Sequence, residues 1–260
     1  MSEIPPQNHG AMFDFSLTSD DKSWLSSQYP TLGLEETADS VVVSGKLKFE
    51  MVYDADKDSF TISPKNYKGK SVLIKDEYEV KIVLPKSGSN DLPKVFETAS
   101  RITEVAKNKS LPKYDLHFNF DDSACLYVAG KETEYFPEGF DFKIFINHLV
   151  IPFFYAQSYF QKFEKWPWGE YSHGMLGLFE WYNEREDHSQ ADVDQMLNRL
   201  KLSGEWGSIA QRFKGGSWVK GHSLCLCGSG NKIRKCHNSA LMGMWKLGKD
   251  VKMYGTTSSI

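Results

Sequence analysis

Two stretches of strict alternation constrain the fold of this chain more than any other feature. Val41, Val43, Leu47, Phe49, Met51 and Tyr53 share one parity, and Ser44, Lys46, Lys48 and Glu50 take the other. The pattern returns with Val72, Ile74, Tyr78, Val80, Ile82 and Leu84 set against Lys75, Glu77, Glu79 and Lys81. Successive side chains of a strand point to opposite faces, so these runs predict two long strands, each dry on one side and wet on the other. One-sided burial is the mark of an antiparallel sheet. Ser59 to Ile62 is expected to add a short strand, and Lys94 to Thr98 a fourth.

After the sheet the period changes. Phe142, Phe145, Leu149, Phe153, Ala156, Phe160 and Phe163 recur every three or four residues, which predicts a helix with one apolar side. Asp141 can cap its start. Pro152 removes a backbone donor in mid-run, so a kink or break is expected there. Met175, Leu178, Phe179 and Tyr182 predict a second helix. Ser189 with Asp192 resembles a capping box opening a third, which turns Val193, Met196, Leu197 and Leu200 inward. Strands followed by helices give an α+β fold class, a four-stranded antiparallel sheet packed with C-terminal helices. The expected organisation is a flexible lead-in over 1–25, the α+β domain over 26–201, a linker over 202–221, a small module over 222–240 and a tail over 241–260.

The first ten residues contain Pro5 and Pro6 and no apolar run behind a basic start, so no secretory signal is expected. The most apolar region, Phe140 to Phe163, is broken by Asp141, Lys143, Asn147, His148 and Pro152, which excludes a membrane span there. A cytoplasmic protein without a membrane partner is the expectation. The net charge of −3 argues neither for nor against a nucleic-acid partner over the whole chain, so one is possible but not indicated, and Arg212 to Lys235 carries six Lys or Arg and no acid.

Four cysteines are too few and too clustered for a disulfide framework. Three of them stand in Cys225-Leu-Cys227-Gly-Ser-Gly-Asn-Lys-Ile-Arg-Lys-Cys236-His237. Zinc in structural sites takes four protein ligands in a tetrahedron, and Cys225, Cys227, Cys236 and His237 supply that number. Gly228 and Gly230 permit the sharp turn that two cysteines one residue apart require, since glycine takes positive φ without a Cβ clash. Four protein ligands leave no open position, so one structural Zn2+ is expected and not a catalytic one. A unit this short has almost no core, and metal binding supplies its folding energy, on the order of 10 kcal/mol in comparable peptides. This stretch closely resembles the SEC-C motif, known from the tail of the bacterial preprotein translocase motor. The resemblance covers about Gly221 to Asn238 and implies a partner-docking module. Lys232, Arg234 and Lys235 would then meet an acidic protein surface or a phosphate backbone; a solvated basic face is the plainer alternative.

The fourth cysteine, Cys125, stands in Leu116-His117-Phe-Asn119-Phe-Asp-Asp-Ser-Ala-Cys125-Leu126, between sheet and helices. A thiol in a polar turn is better placed for chemistry than one on an apolar stripe, because reactivity needs access and a stabilised thiolate. The order of elements is similar to the ubiquitin-conjugating (UBC-like) fold over roughly residues 25–201. In that family a four-stranded sheet ends in a proline-containing stretch, here Leu84-Pro85 through Leu92-Pro93. A His-Pro-Asn tripeptide and a cysteine before leucine follow, matched here by His117-Phe-Asn119 and Ala124-Cys125-Leu126. Phe118 stands where the family carries proline. Trp168-Gly-Glu-Tyr-Ser-His173-Gly is similar to bacterial UBC-like proteins of CBASS-type antiviral operons.

The resemblance implies a thioester at Cys125, a covalent intermediate that divides one hard transfer into two easier ones. It implies that the Asn119 amide stabilises the oxyanion as an amine attacks, and that His117 orders the loop. The chain has no nucleotide-phosphate motif, so a separate activating enzyme is expected as a partner, and the cargo would be an activated protein C-terminus, such as that of a cyclic-oligonucleotide nucleotidyltransferase. Gly255-Thr-Thr-Ser-Ser-Ile260 has no Gly-Gly end, so the chain is not expected to be the modifier itself. Two other readings stay open: an inactive UBC-like scaffold that binds protein partners, and a cysteine hydrolase using Cys125 with a distant histidine. Glu170 and His173 are expected at a helix N-terminus, and Trp166 and Trp168 in core or hinge packing.

Overall fold

A computed structural model describes residues 13–89, 91–119, 121–127, 132–169, 171–172, 174–202, 207, 210 and 219–255. The described chain divides after residue 169 into two compact units, each with its own apolar core. The expected single domain over 26–201 is therefore two: its last two helices belong to the second unit.

The first unit is built on an antiparallel sheet of five strands, one more than expected: β1 Leu32–Glu36, β2 Ser40–Asp54, β3 Ser59–Ile62, β4 Leu73–Pro85 and β5 Lys94–Glu97. The order is β1-β2-β4-β5, with β3 also on β2. β2 is long enough to hold two partners along one edge. Its first half pairs β1, with Leu32 opposite Gly45, and its last residues pair β3, with Met51 opposite Ile62. β1 shows no alternation because only Leu32 of its five residues is buried. The alternation of β2 and β4 holds as read: Val43, Leu47, Met51, Val80, Ile82 and Leu84 are all buried. On the wet face the register sets Lys48 opposite Glu77 and Glu50 opposite Lys75, and the pairs Lys46–Glu77 and Lys75–Glu50 cross the strands at 2.9 and 2.8 Å. Opposite charges facing one another across a ladder favour this register over a one-residue slip.

Residues 13 to 28 are not a loose lead-in. Phe13 bridges Ser89, Phe15 is buried, and helix α1, Ser19–Gln28, opens with a capping box between Thr18 and Asp21 and buries Leu25. After the sheet come α2 Arg101–Lys109, a 3-10 turn at Lys113–Leu116 and the short α3 Glu132–Tyr135. The long apolar helix starts at α4, Phe142–Ile144, capped by the Asp141 carboxylate on the Ile144 N–H, and continues as α5, Ile151–Phe163. Pro152 does not break it. The six residues before α5, Phe145–Val150, form a π-helical turn in which the Ile151 N–H reaches back to the Ile146 carbonyl. A proline inside an α-helix presses its ring on the carbonyl four residues earlier; the wider turn relieves that clash without interrupting the helix. α5 packs on β2 and β4, and Phe145, Ile146, Val150 and Phe154 are sealed in the same core.

The second unit contains α6 Met175–Glu184, α7 Gln190–Leu202, α8 Ile233–Cys236 and α9 Asn238–Tyr254. α6 and α7 match the two expected helices, and Ser189 and Asp192 make the capping box in both directions. α9 replaces the expected tail. Ala240, Met244, Leu247 and Val251 recur at helical spacing and are all buried. α9 lies so close to α6 that a Cβ on Gly243 would stand 1.9 Å from the Phe179 carbonyl oxygen. Glu170, His173 and most of the expected linker lie outside the described residues.

Candidate metal centre and cysteine hairpin

The Cys-x-Cys segment folds back on itself. The Cys225 N–H donates to the Asn231 carbonyl at 2.7 Å and the Ile233 N–H to the Ser223 carbonyl at 2.9 Å, while Leu224 bridges Lys232. Gly228 and Gly230 turn the chain between these rungs with φ of 78° and 74°, the left-handed values their lack of a Cβ was expected to permit. α8 then carries Cys236, and His237 follows at the junction with α9. The four ligand atoms come within 4.8 Å of one another. Cys225 Sγ lies 3.0 Å from His237 Nδ1, and Cys227 Sγ lies 3.6 Å from Cys236 Sγ.

These four residues form a group that can hold a metal ion. Metal–sulfur bonds of about 2.3 Å in a tetrahedron put ligand sulfurs about 3.8 Å apart, close to the outer pair as it stands. Three thiols and an imidazole are the donors that soft and borderline divalent ions prefer. The electrostatics are uneven. Burial raises the Cys225 thiol above its ordinary range. At Cys227 burial pushes the same way but is outweighed by hydrogen bonds from the Ser229 side chain and backbone and from the other two thiols, so that thiol is lowered. Ser229 Oγ sits 3.2 Å from Cys227 Sγ and 3.3 Å from Cys236 Sγ and accepts the Asn231 N–H. Ser229, between the two turn glycines, adds a hydroxyl partner that the spacing of the ligands does not reveal.

The expectation that this segment lacks a core needs correction. Ile233 is fully buried, and with Cys225, Val219, Ala240 and Leu241 it belongs to the core that α6, α7 and α9 share. The knuckle is part of a helical unit. A further polar cluster in that unit had no motif to reveal it: the His188 ring stacks on Tyr182 at 3.7 Å, and both reach Asp250 Oδ2, at 3.1 and 2.7 Å.

The other cysteine sits in a tight hairpin of the first unit. Phe118 bridges Ala124, the Asn119 N–H donates to the Ser123 carbonyl and the Cys125 N–H to the His117 carbonyl, both at 2.8 Å. The Ala124 N–H donates to the Val95 carbonyl of β5, which ties the hairpin to the sheet. The Gln157 amide of α5 donates to the Leu116 carbonyl at 2.8 Å, which fixes its base from the helix side. His117 takes a left-handed φ of 58°, and its ring packs edge-on against Trp166. Trp166 stacks on Phe160 and Trp168 on Tyr155, so both tryptophans serve packing. Lys94 and Lys113 clamp Asp121 and Asp122 at 2.6 and 2.7 Å, and hydrogen bonds from Lys94 and Ser123 hold the Asp121 carboxyl down to about 2.

The hairpin thus gathers His117, Asn119 and Cys125. Cys125 is half-buried and its Sγ faces the Tyr127 carbonyl at 3.8 Å. The Asn119 side-chain amide donates within the hairpin, to Ser123 Oγ at 3.0 Å and toward the Ala124 carbonyl at 3.4 Å. Among the described residues no helix is long and apolar enough to cross a membrane. Compared with family models, with curated proteins and with solved structures, the chain matches none.

Proposed function

We propose that the chain is a thioester-forming protein-conjugating enzyme of the UBC-like kind, in which Cys125 receives an activated protein C-terminus and passes it to an acceptor amine. The observation that carries this reading is the setting of the Cys125 sulfur. It is half-exposed, on a hairpin pinned to β5 on one side and to α5 on the other. A thiolate held on rigid supports can attack an activated carbonyl without first reorganising its backbone. The reaction closes in two steps: the sulfur displaces the activating group to form the acyl–sulfur bond, and the amine then displaces the sulfur, losing a proton. Asn119 would donate its amide to the oxyanion of the second step, for which it must leave Ser123 and Ala124. His117 keeps the hairpin in shape through its left-handed backbone and its carbonyl bond to Cys125. By resemblance, the cargo is the C-terminus of a nucleotidyltransferase in bacterial antiviral defence, delivered by an activating enzyme.

The metal-binding group is in this reading a structural zinc site of SEC-C type, with Cys225, Cys227, Cys236 and His237 as ligands and a protein partner docking on its basic surface. Zinc would supply no chemistry beyond joining the turn to α8 and α9.

The test is a charging assay with activating enzyme, ATP and a candidate nucleotidyltransferase. Wild type is expected to carry an adduct cleaved by thiol reductants, and Cys125→Ser to carry none or a reductant-stable ester. A second reading, an inactive UBC-like scaffold, is favoured by the engagement of the Asn119 amide inside the hairpin. It wins if Cys125 resists iodoacetamide in the folded protein.

A further inference from the structure

The three thiols of the knuckle differ in access. Cys225 is 5% exposed and faces the His237 ring, whereas Cys227 is exposed and Cys236 half-buried, with their sulfurs 3.6 Å apart. Residues 226–230, which carry Cys227, are exposed along their whole length, and the rungs that close the turn, from the Cys225 N–H to the Asn231 carbonyl and from the Ile233 N–H to the Ser223 carbonyl, lie outside that stretch. We propose that Cys227 and Cys236 form an oxidation site, which a peroxide converts to a disulfide with discharge of the bound metal ion while Cys225 stays reduced. The inference rests on the metal-centre reading above.

The step balances as follows. The Cys227 sulfur attacks one peroxide oxygen, forming an S–O bond and breaking the O–O bond; the departing hydroxide takes a proton and becomes water. The Cys236 thiolate then attacks the Cys227 sulfur, forming the S–S bond and expelling the second oxygen, which takes a proton and becomes a second water. The two sulfurs together lose two electrons, and the peroxide gains them. Disulfide sulfurs stand about 2.05 Å apart, so the present gap closes by about 1.6 Å, a side-chain rotation in an exposed turn. Cys225 and His237 alone leave the ion two ligands short of a closed tetrahedron, and it is released. The new covalent link spans the same two points of the turn that the metal had joined, so the knuckle stays closed with its ion gone.

The experiment uses the full chain loaded with zinc and treated with hydrogen peroxide in steps, with a chromogenic chelator reading released metal and differential alkylation with peptide mapping reading each thiol. One zinc ion is expected for every two thiols lost, with a disulfide joining Cys227 and Cys236, Cys225 alkylated only after denaturation, and zinc uptake restored by dithiothreitol. A disulfide that includes Cys225 overturns the proposal, as does sulfinic acid at Cys227 without a disulfide, or thiol loss without zinc release. If the untreated chain takes up no zinc, the metal-centre reading fails instead, and the disulfide map of the same peroxide-treated chain still decides the pairing.

Discussion

In the knuckle, four donor atoms meet within 4.8 Å because a turn and a short helix bring Cys227 and Cys236 back together across eight residues. At the hairpin, Cys125 owes its setting to β5, α5 and a tryptophan forty-one residues further on. The first site is assembled by nearby sequence and the second by tertiary packing. The difference separates what each can tolerate. A local site survives wherever its turn can close, whereas a site at the meeting of sheet and helix shifts with any change in either.

The largest test of that contrast is metal removal. A knuckle that folded on metal alone would lose on the order of 10 kcal/mol and unfold. Here Ile233 and Cys225 are anchored in a helical core, so chelation is expected to strip amide-exchange protection from 223–237 while α6 and α9 keep theirs. Loss of protection throughout the second unit would break the comparison and make the metal the organiser of the whole unit. Exchange in β2 and β4, which have their own core, is expected to stay unchanged.

A smaller effect is expected from Gly243→Val. The added side chain meets the Phe179 carbonyl, and overpacking of this kind costs about 1–3 kcal/mol. The urea midpoint of the second unit should fall while the affinity for zinc expected on the proposed reading holds within about twofold, roughly 0.4 kcal/mol. A parallel drop in affinity would show that the metal group depends on helix packing as much as the hairpin does.

The smallest effect concerns pH at the hairpin. Lys94 and Ser123 hold the folded Asp121 carboxyl at about 2, below its ordinary 3.8. A depressed carboxyl stabilises the fold above its unfolded value, and that contribution is lost as pH falls through the folded one. Between pH 4 and 2 the Lys94–Asp121 clamp should therefore release. The Asp121 side chain is 44% exposed, so solvent screens the pair and the gain in stability is slight. An NMR titration of the Asp121 carboxyl should give a midpoint near 2, moving up in high salt; a midpoint near 3.8 removes the clamp from the account.

Legibility followed the range of the interactions. Alternation in β2 and β4 gave strands, parity and buried faces because a strand's side-chain period is written residue by residue. The capping box at Ser189 and the Asp141 cap were readable for the same reason: donor and acceptor lie within one turn. β1 was missed because four of its five residues are not buried and its place was set by pairing with β2. Helix α9 is legible in the spacing of Ala240, Met244, Leu247 and Val251, although the expected tail over 241–260 leaves it out. Ser229 lies inside the same motif as the metal-binding group, but ligand spacing alone does not mark it as a partner of the thiols.

The sequence by itself determined the antiparallel sheet, the apolar helices and the four-residue group that can hold a metal ion, since each is encoded by neighbours a few positions apart. Tertiary structure alone decided that the chain forms two units, that Pro152 is accommodated by a π turn, that the knuckle shares a helical core, and that Cys125 remains half-exposed on a pinned hairpin. Those outcomes depend on which surfaces pack together and on how closely backbones approach. Burial and steric fit between distant segments are properties of the folded volume, and no local pattern carries them.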